Sequence, residues 1–363
     1  MGFKLAVLPG DGIGQEVTEA ALQVLDAVCE LGGIAVEREV GLIGGIAIDQ
    51  TQDPFPPDTE RLVHQADATL LGAVGGPKWA DGPKTPEDGL LRLRASLGLY
   101  ANLRPFEVLP GLEEFTPLKR PFRGGVIIRE LLGGLYYGEP RGITPLTDGG
   151  AEAVDTARYT TAEIERVARI GFQLASQRGV PLMSVDKANV LHTSKLWRQT
   201  VIALGQRDYP GVPLTHRYVD AAAMEMVLAP ERFQVVVTEN LFGDILSDLT
   251  GGLVGSLGVL GSATVAGIGQ GKGLYEPVHG SAPDIQGRGI ANPIGAIWSL
   301  SLLLEWSFGL QKMAELLQQA VRETTKAGVR TPDLGGQATT REVTNAIVGE
   351  LRRLSENVTM GER

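Results

Sequence analysis

The chain has 363 residues, 43% hydrophobic and 21% charged, the balance of a globular protein long enough for two domains. A net charge of −10 argues against nucleic acid or an anionic membrane surface as a partner, and the single cysteine, Cys29, excludes a disulfide framework and a thiolate metal site. The most apolar run, IGAIWSLSLLLEWSFGL, is interrupted by Glu305 and is too short to span a membrane, so a buried core helix is expected there.

In chain order, FKLAVL (3–8) reads as a short strand ending at the turn PGDGIG. The opening stretch lacks the charged region, apolar core and cleavage site of a signal peptide, and a reducing cytoplasm is the expected setting. Residues 15–31 repeat apolar positions at helical spacing, with Glu16 and Glu19 in the first turns, where acids suit the helix dipole. Residues 34–40 alternate as a strand does, and 68–74 form a fully apolar strand of the parallel-sheet kind. The stretch 75–89, rich in Gly, Pro and Lys, reads as a long functional or mobile loop. Further strands are expected at 101–109, 125–130, 181–186, 214–219 and 233–239. Thr160 and Glu163 make a capping box for a helix at 161–178, and Thr339 with Glu342 opens the last helix. Strands alternating with helices predict an α/β protein with a mostly parallel sheet. The Gly-rich stretch 251–273 is the softest part of the pattern, and a domain crossing is expected near it.

Several motifs carry chemistry. GDGIGQ (10–15) invites a dinucleotide-binding reading, but Gln15 stands where the third glycine belongs, so a Rossmann site is rejected. Arg92 and Arg94 fall on a predicted helix, Arg104 on the next strand and Arg129 on a later one, close in sequence to Tyr136 and Tyr137. Converging guanidinium forks would hold a dicarboxylate, whereas any one of them alone reads as a surface arginine. Lys187 follows Asp186 just past a strand, where α/β sheets place ligands and where partial burial makes a lysine a usable base. A solvated lysine paired with Asp186 fits the spacing equally well. Asp244 and Asp248, four apart in NLFGDILSDLTGG, share one helical face. Asp220 reads first as a helix N-cap and second as a third carboxylate for that pair. Three hard oxygen donors, completed by water and substrate, would suit Mg²⁺ or Mn²⁺. The loop EPVHGSAPDIQGRGIANP (276–293) is rich in small residues that let a ligand approach the backbone, and Asp284 there could bind ribose hydroxyls.

LPGDGIG, GGPKW, LLRLRASLGLYANLRP, RELLGGLYYGEPRG, SVDKANVL, YVDAAAME, ENLFGDILSD and EPVHGSAPDIQGRGIANP occur in this order over nearly the whole chain. The set resembles the isocitrate/isopropylmalate β-decarboxylating dehydrogenase family, which also holds homoisocitrate and tartrate dehydrogenases. LLRLR is similar to the isopropylmalate branch. The resemblance implies a two-domain fold that is not a Rossmann fold, with one domain from about 1–99 and 255–363 and a central domain at 100–254. It implies oxidative decarboxylation of 3-isopropylmalate to 2-oxo-4-methylpentanoate with reduction of NAD⁺, a step toward leucine.

In that reading Arg94, Arg104 and Arg129 clamp the malate carboxylates, and Asp220, Asp244 and Asp248 hold Mg²⁺ or Mn²⁺. Lys187 accepts the hydroxyl proton, and Tyr136 donates a proton after CO₂ leaves. Leu90 and Leu91, with Glu87 nearby, face the isopropyl group, where an isocitrate enzyme needs a polar partner. NAD is expected along His279, Gly280, Ser281, Ala282, Pro283, Asp284, Ile285 and Asn292, with the nicotinamide side at Gly75, Gly76 and Glu87. The family also implies a homodimer in which the partner supplies the residues matching Lys187 and Asp220. Departures from the family pattern, at Leu132, at 249–252 and at Gly261, touch none of the residues assigned to chemistry.

Overall fold

The computed structural model describes residues 2–118, 122, 124–269 and 271–361, with side chains through residue 356. Twelve strands follow in chain order: β1 (Gly2–Gly10), β2 (Ala35–Val40), β3 (Ala68–Ala73), β4 (Ala101–Phe106), β5 (Gly125–Glu130), β6 (Gly142–Pro145), β7 (Ala151–Val154), β8 (Leu182–Asp186), β9 (Leu214–Tyr218), β10 (Val235–Thr238), β11 (Gly261–Val265) and β12 (Gly273–Pro277). The chain divides into two compact units. The first comprises Met1–Leu99, Phe106–Lys119 and Thr250–Arg363, and the second comprises Tyr100–Pro105 and Arg120–Leu249.

In the first unit the strand order is β2-β1-β3-β12-β11. All neighbours there are parallel except β11 and β12, which run antiparallel. Strand β3, ATLLGA, is buried throughout, as a parallel strand covered on both faces must be. The apolar run foreseen as a core helix is one: Ile294–Trp306 is helical, and every residue from Ile294 to Leu304 is buried. Each large apolar side chain so buried contributes about 1.5–3 kcal/mol.

In the second unit the order is β4-β5-β10-β8-β9, and the successive pairs β5–β10, β10–β8 and β8–β9 are parallel. The helix Thr161–Arg178 packs on this sheet and buries Ile164, Val167, Ile170, Phe172 and Leu174, the Phe172 ring stacking on Tyr209. Its capping box is formed on both sides: Thr160 Oγ1 accepts from Glu163 N, and Glu163 accepts from Thr160 N. Strands β6 and β7 make a separate antiparallel ribbon, and all eight of its residues are exposed.

Two stretches differ from expectation. The 75–89 segment is not all loop, because a helix starts at Pro86 and runs to Ser96. Thr85 caps it, Asp88 closes the capping box and Pro86 takes the first turn, where a missing N–H costs nothing. The Gly-rich stretch holds strand β11 and ends where β12 begins, and both strands are buried along their whole length. A Cβ at Gly261 would lie 2.6 Å from the Ser299 backbone nitrogen, so this glycine lets the core helix close onto β11. Gly251 and Gly258 are crowded in the same way, whereas Gly252, Gly269 and Gly271 have open space around them.

Candidate active site

The second unit gathers five of the expected residues. Arg104 on β4, Arg129 on β5 and the helix Asn240–Val254 bring two guanidinium groups against the two carboxylates four residues apart. Arg129 Nη1 is paired with Asp244 Oδ1, while Arg104 Nη1 lies 3.6 Å from the same oxygen and 3.3 Å from Asp248 Oδ1. Within one chain, then, the charge that makes Asp244 and Asp248 tolerable neighbours is arginine. Gly243 makes the approach possible, since a Cβ there would sit 2.6 Å from Arg129 Cγ. Arg129 is buried, Asp244 one third exposed and Asp248 more than half exposed, so the carboxylates face outward from a guanidinium floor.

Tyr136 completes the cluster. Its hydroxyl donates to Asp244 Oδ2 at 2.9 Å, and its ring lies 5.5 Å from the Arg129 guanidinium carbon. Burial raises the Tyr136 pKa, and the neighbouring Asp244 raises it further, so the phenol holds its proton. The short turn bearing it, Gly134–Tyr136, needs glycine at 134: φ is +72°, and a Cβ would meet the Tyr159 hydroxyl at 2.6 Å. Burial also raises the Asp248 pKa, against the opposing pull of Arg104.

Lys187 and Asp220 form a separate pair, with Nζ 2.5 Å from Oδ1. Among the described residues no group of three His, Cys, Asp or Glu side chains could hold a metal, so one chain does not bring Asp220 to Asp244 and Asp248. Asp220 is not an N-cap either. The helix is Val219–Leu228, with Tyr218 at the N-cap position and no side-chain cap, and Asp220 lies in its first turn. The Lys187 hydrogen bond lowers its pKa. The pairing of Lys187 with Asp186 is also replaced: Asp186 takes a two-pronged bond from Arg198 at 2.8 and 2.9 Å.

The first unit presents the other expected residues. Arg94, on the helix Pro86–Ser96, is buried and donates to Glu276 of β12 at 2.6 Å. Leu90 on the same helix packs against the core cluster of Leu8, Ile43, Phe55 and Leu93. Gly75 and Gly76 take φ of 115° and 157°, and a Cβ on Gly75 would come 2.9 Å from Glu87 Oε1. In the loop that follows β12, Ser281 and Asn292 are buried, while Gly280, Pro283 and Asp284 are exposed. Ala282 holds φ at +37°, a strained conformation for a residue with a Cβ. His279 Nδ1 lies 2.9 Å from the Gly280 oxygen, its buried Nε2 has no partner among the described residues, and burial lowers its pKa so that the ring is neutral. Asn292 donates to Asp333 and accepts from Ile294 N, which fixes the end of the loop.

Sequence reasoning missed Asp11. This buried carboxylate accepts backbone N–H bonds from Gly45, Ile46 and Gly75 at 2.8, 2.8 and 2.9 Å. It thereby ties the end of β1 to the glycine pair 75–76, and only its place in the GDG turn hinted at a local role. Asp11→Ala strands three backbone donors, two buried and one part-buried, and is expected to lower the unfolding free energy by about 3 kcal/mol. Urea denaturation measures this, and a loss below about 1 kcal/mol would show that water replaces the carboxylate.

A cluster of guanidinium groups, paired carboxylates and a protonated phenol can bind small polycarboxylates and move protons on them, the chemistry of an enzyme. The sequence profile described as isocitrate/isopropylmalate dehydrogenase matches residues 4–347, and the chain belongs to this family. It is 50% identical over 366 residues to the 3-isopropylmalate dehydrogenase of Aquifex aeolicus (strain VF5), covering 98% of this chain and 99% of that one. The same-named protein of Bacillus subtilis (strain 168) is 50% identical over 362 residues, covering 96% and 98%. Among solved structures, isocitrate dehydrogenase from Methylococcus capsulatus superposes with a TM-score of 0.87 at 34% identity, over 96% of this chain and 99% of that one. The apo β-decarboxylating dehydrogenase of Thermococcus kodakarensis gives 0.78 at 37% identity, over 97% and 96%.

Proposed function

We propose that this protein catalyses the oxidative decarboxylation of 3-isopropylmalate to 2-oxo-4-methylpentanoate, in the cytoplasm, as a step in leucine biosynthesis. Support comes from relatives of that name at about half identity over nearly full length. The observation that carries the reading is the Tyr136–Asp244–Arg129 contact, which joins a proton donor, a carboxylate and a carboxylate-binding cation. Arg94, Arg104 and Arg129 bind the two carboxylates of the substrate, each guanidinium offering paired donors. Lys187 accepts the proton of the 2-hydroxyl, and Tyr136 gives a proton to the carbon that CO₂ has left. Leu90 and Leu91, with Glu87, form the side that takes the isopropyl group. Such an apolar wall discriminates by about 1–3 kcal/mol per methylene and leaves a third carboxylate unpaired.

Asp244 and Asp248 suit a hard divalent cation, Mg²⁺ or Mn²⁺, because they are oxygen donors side by side and Asp248 is largely open to solvent. Asp220 supplies the third ligand. Gly75, Gly76, Glu87 and the loop His279–Gly280–Ser281–Ala282–Pro283–Asp284–Ile285, ending at Asn292, suit NAD: the loop has an exposed backbone and an acid, Asp284, placed for ribose hydroxyls. When bound, NAD⁺ would supply the hydride acceptor and the cation would supply Lewis-acid polarisation of the substrate oxygens.

The active form is a homodimer with shared sites, each completed by Lys187 of the partner subunit and Asp220 of the partner subunit. The apolar stripe of Met224, Val227 and Leu228 on the helix Val219–Leu228, exposed together with Val190, Leu191 and Ile245, supports this reading. The exposed β6–β7 ribbon, with Ile143 at its surface, supports it too.

The deciding experiment follows NADH formation from 3-isopropylmalate with Mg²⁺. Activity is expected, is abolished by a chelator and returns with added Mg²⁺. No turnover of 3-isopropylmalate, with turnover of homoisocitrate or tartrate, would move the assignment to those relatives. Turnover that survives chelation would overturn the metal role of the aspartates.

A further inference from the structure

We infer that Asn240 is a positioning residue, a single buried amide that sets both the Arg129 guanidinium and the turn carrying Tyr136. The inference rests on the function proposed above and adds a residue to which neither the sequence motifs nor that reading gave a role. Asn240 is 1% exposed and begins the helix that bears Asp244 and Asp248. Its Oδ1 accepts from Arg129 Nε at 3.0 Å and from Arg129 Nη2 at 2.8 Å. Its Nδ2 donates to the Gly133 carbonyl at 3.1 Å, one residue before the Gly134–Tyr136 turn. Its backbone N–H donates to the Tyr159 hydroxyl at 3.0 Å, and Tyr159 packs directly on Gly133 and Gly134.

Residue chemistry explains the choice. The site needs an acceptor toward the guanidinium and a donor toward a peptide carbonyl, within the length of one short side chain. An amide offers both, and a carboxylate only the first. A neutral acceptor also adds no second internal ion pair to the one Arg129 already makes with Asp244, as an aspartate at 240 would. With its Nε edge held by Asn240, Arg129 points Nη1 at Asp244, the carboxylate to which Tyr136 donates. One amide thus aligns the binding cation and the proton donor.

The test uses Asn240→Leu, nearly isosteric and without hydrogen bonds, in the full-length protein. KM for 3-isopropylmalate is expected to rise about tenfold and kcat to fall about tenfold. In a Tyr136→Phe background the kcat effect disappears and the KM effect remains. A merely structural role would cost stability and active fraction, leave KM alone and multiply equally in both backgrounds, and that result overturns the inference. If Asn240→Leu does not fold, Asn240→Asp serves: it keeps the acceptor for Arg129 and turns an oxygen on the Gly133 carbonyl. Its kcat loss is expected in the native background and not in the Tyr136→Phe background, and equal losses overturn the role. A readout without turnover separates this inference from the function itself. The Arg129 Nε–H signal in NMR, assigned by its loss in Arg129→Lys, is expected to be protected from solvent exchange in the native protein and unprotected in Asn240→Leu. An unchanged signal refutes the positioning role whether or not the native enzyme oxidises 3-isopropylmalate.

Discussion

Lys187→Met is expected to lower kcat for 3-isopropylmalate by about 100- to 10,000-fold, the range over which a positioned proton acceptor acts. KM should change little, because the substrate carboxylates belong to the arginines. The variant should also fold normally. Lys187 pairs with Asp220, whose side chain is 67% exposed, and lies 6.0 Å from the Tyr218 ring, and an exposed acid left without its partner costs little. Steady-state kinetics on the purified variant decide the matter, and a kcat within threefold of native would remove Lys187 from the proton path.

The second large effect concerns how sites are assembled. Asp244→Asn should abolish activity by itself, since it removes one cation ligand and the acceptor for Tyr136. Refolding equal amounts of the Asp244→Asn and Lys187→Met chains together should then restore about a quarter of native activity, for half the dimers are mixed and each mixed dimer has one intact site. In that site a native Asp244 faces the partner's Lys187. If each chain built its own site, every mixture would stay dead, and the shared arrangement would be refuted. The separation of Asp220 from Asp244 and Asp248 within one chain makes complementation the expected result.

The sequence disclosed some parts of this protein better than others, for physical reasons. Local rules were legible: the Thr160–Glu163 box, the core helix from Ile294 and the shared face of Asp244 and Asp248 all depend on residues within one or two turns. What pairs with what was less legible. Lys187 could not be assigned to Asp220 rather than Asp186 by spacing, because the contact spans 33 positions. Asp11 gave no signal of its three backbone partners, which arrive from positions 45, 46 and 75. Strands β11 and β12 were obscured by glycines that exist for close packing, and propensity alone reads such glycines as loop. The arginines were recognised as a group only through the ordered family motifs, since each alone reads as a surface residue.

The turn GDGIG looks like a phosphate-binding fingerprint, and the fold explains the likeness. Gly12 takes φ of +54°, and a Cβ there would lie 2.0 Å from the Ser281 carbonyl oxygen, while Ile13 N donates to that same oxygen at 2.8 Å. In a dinucleotide fold the second glycine is required because a pyrophosphate comes close to the backbone. Here a peptide carbonyl of the protein's own chain takes that place. Two unrelated neighbours therefore write the same letter into a sequence, and a motif scan registers the crowding without distinguishing what causes it.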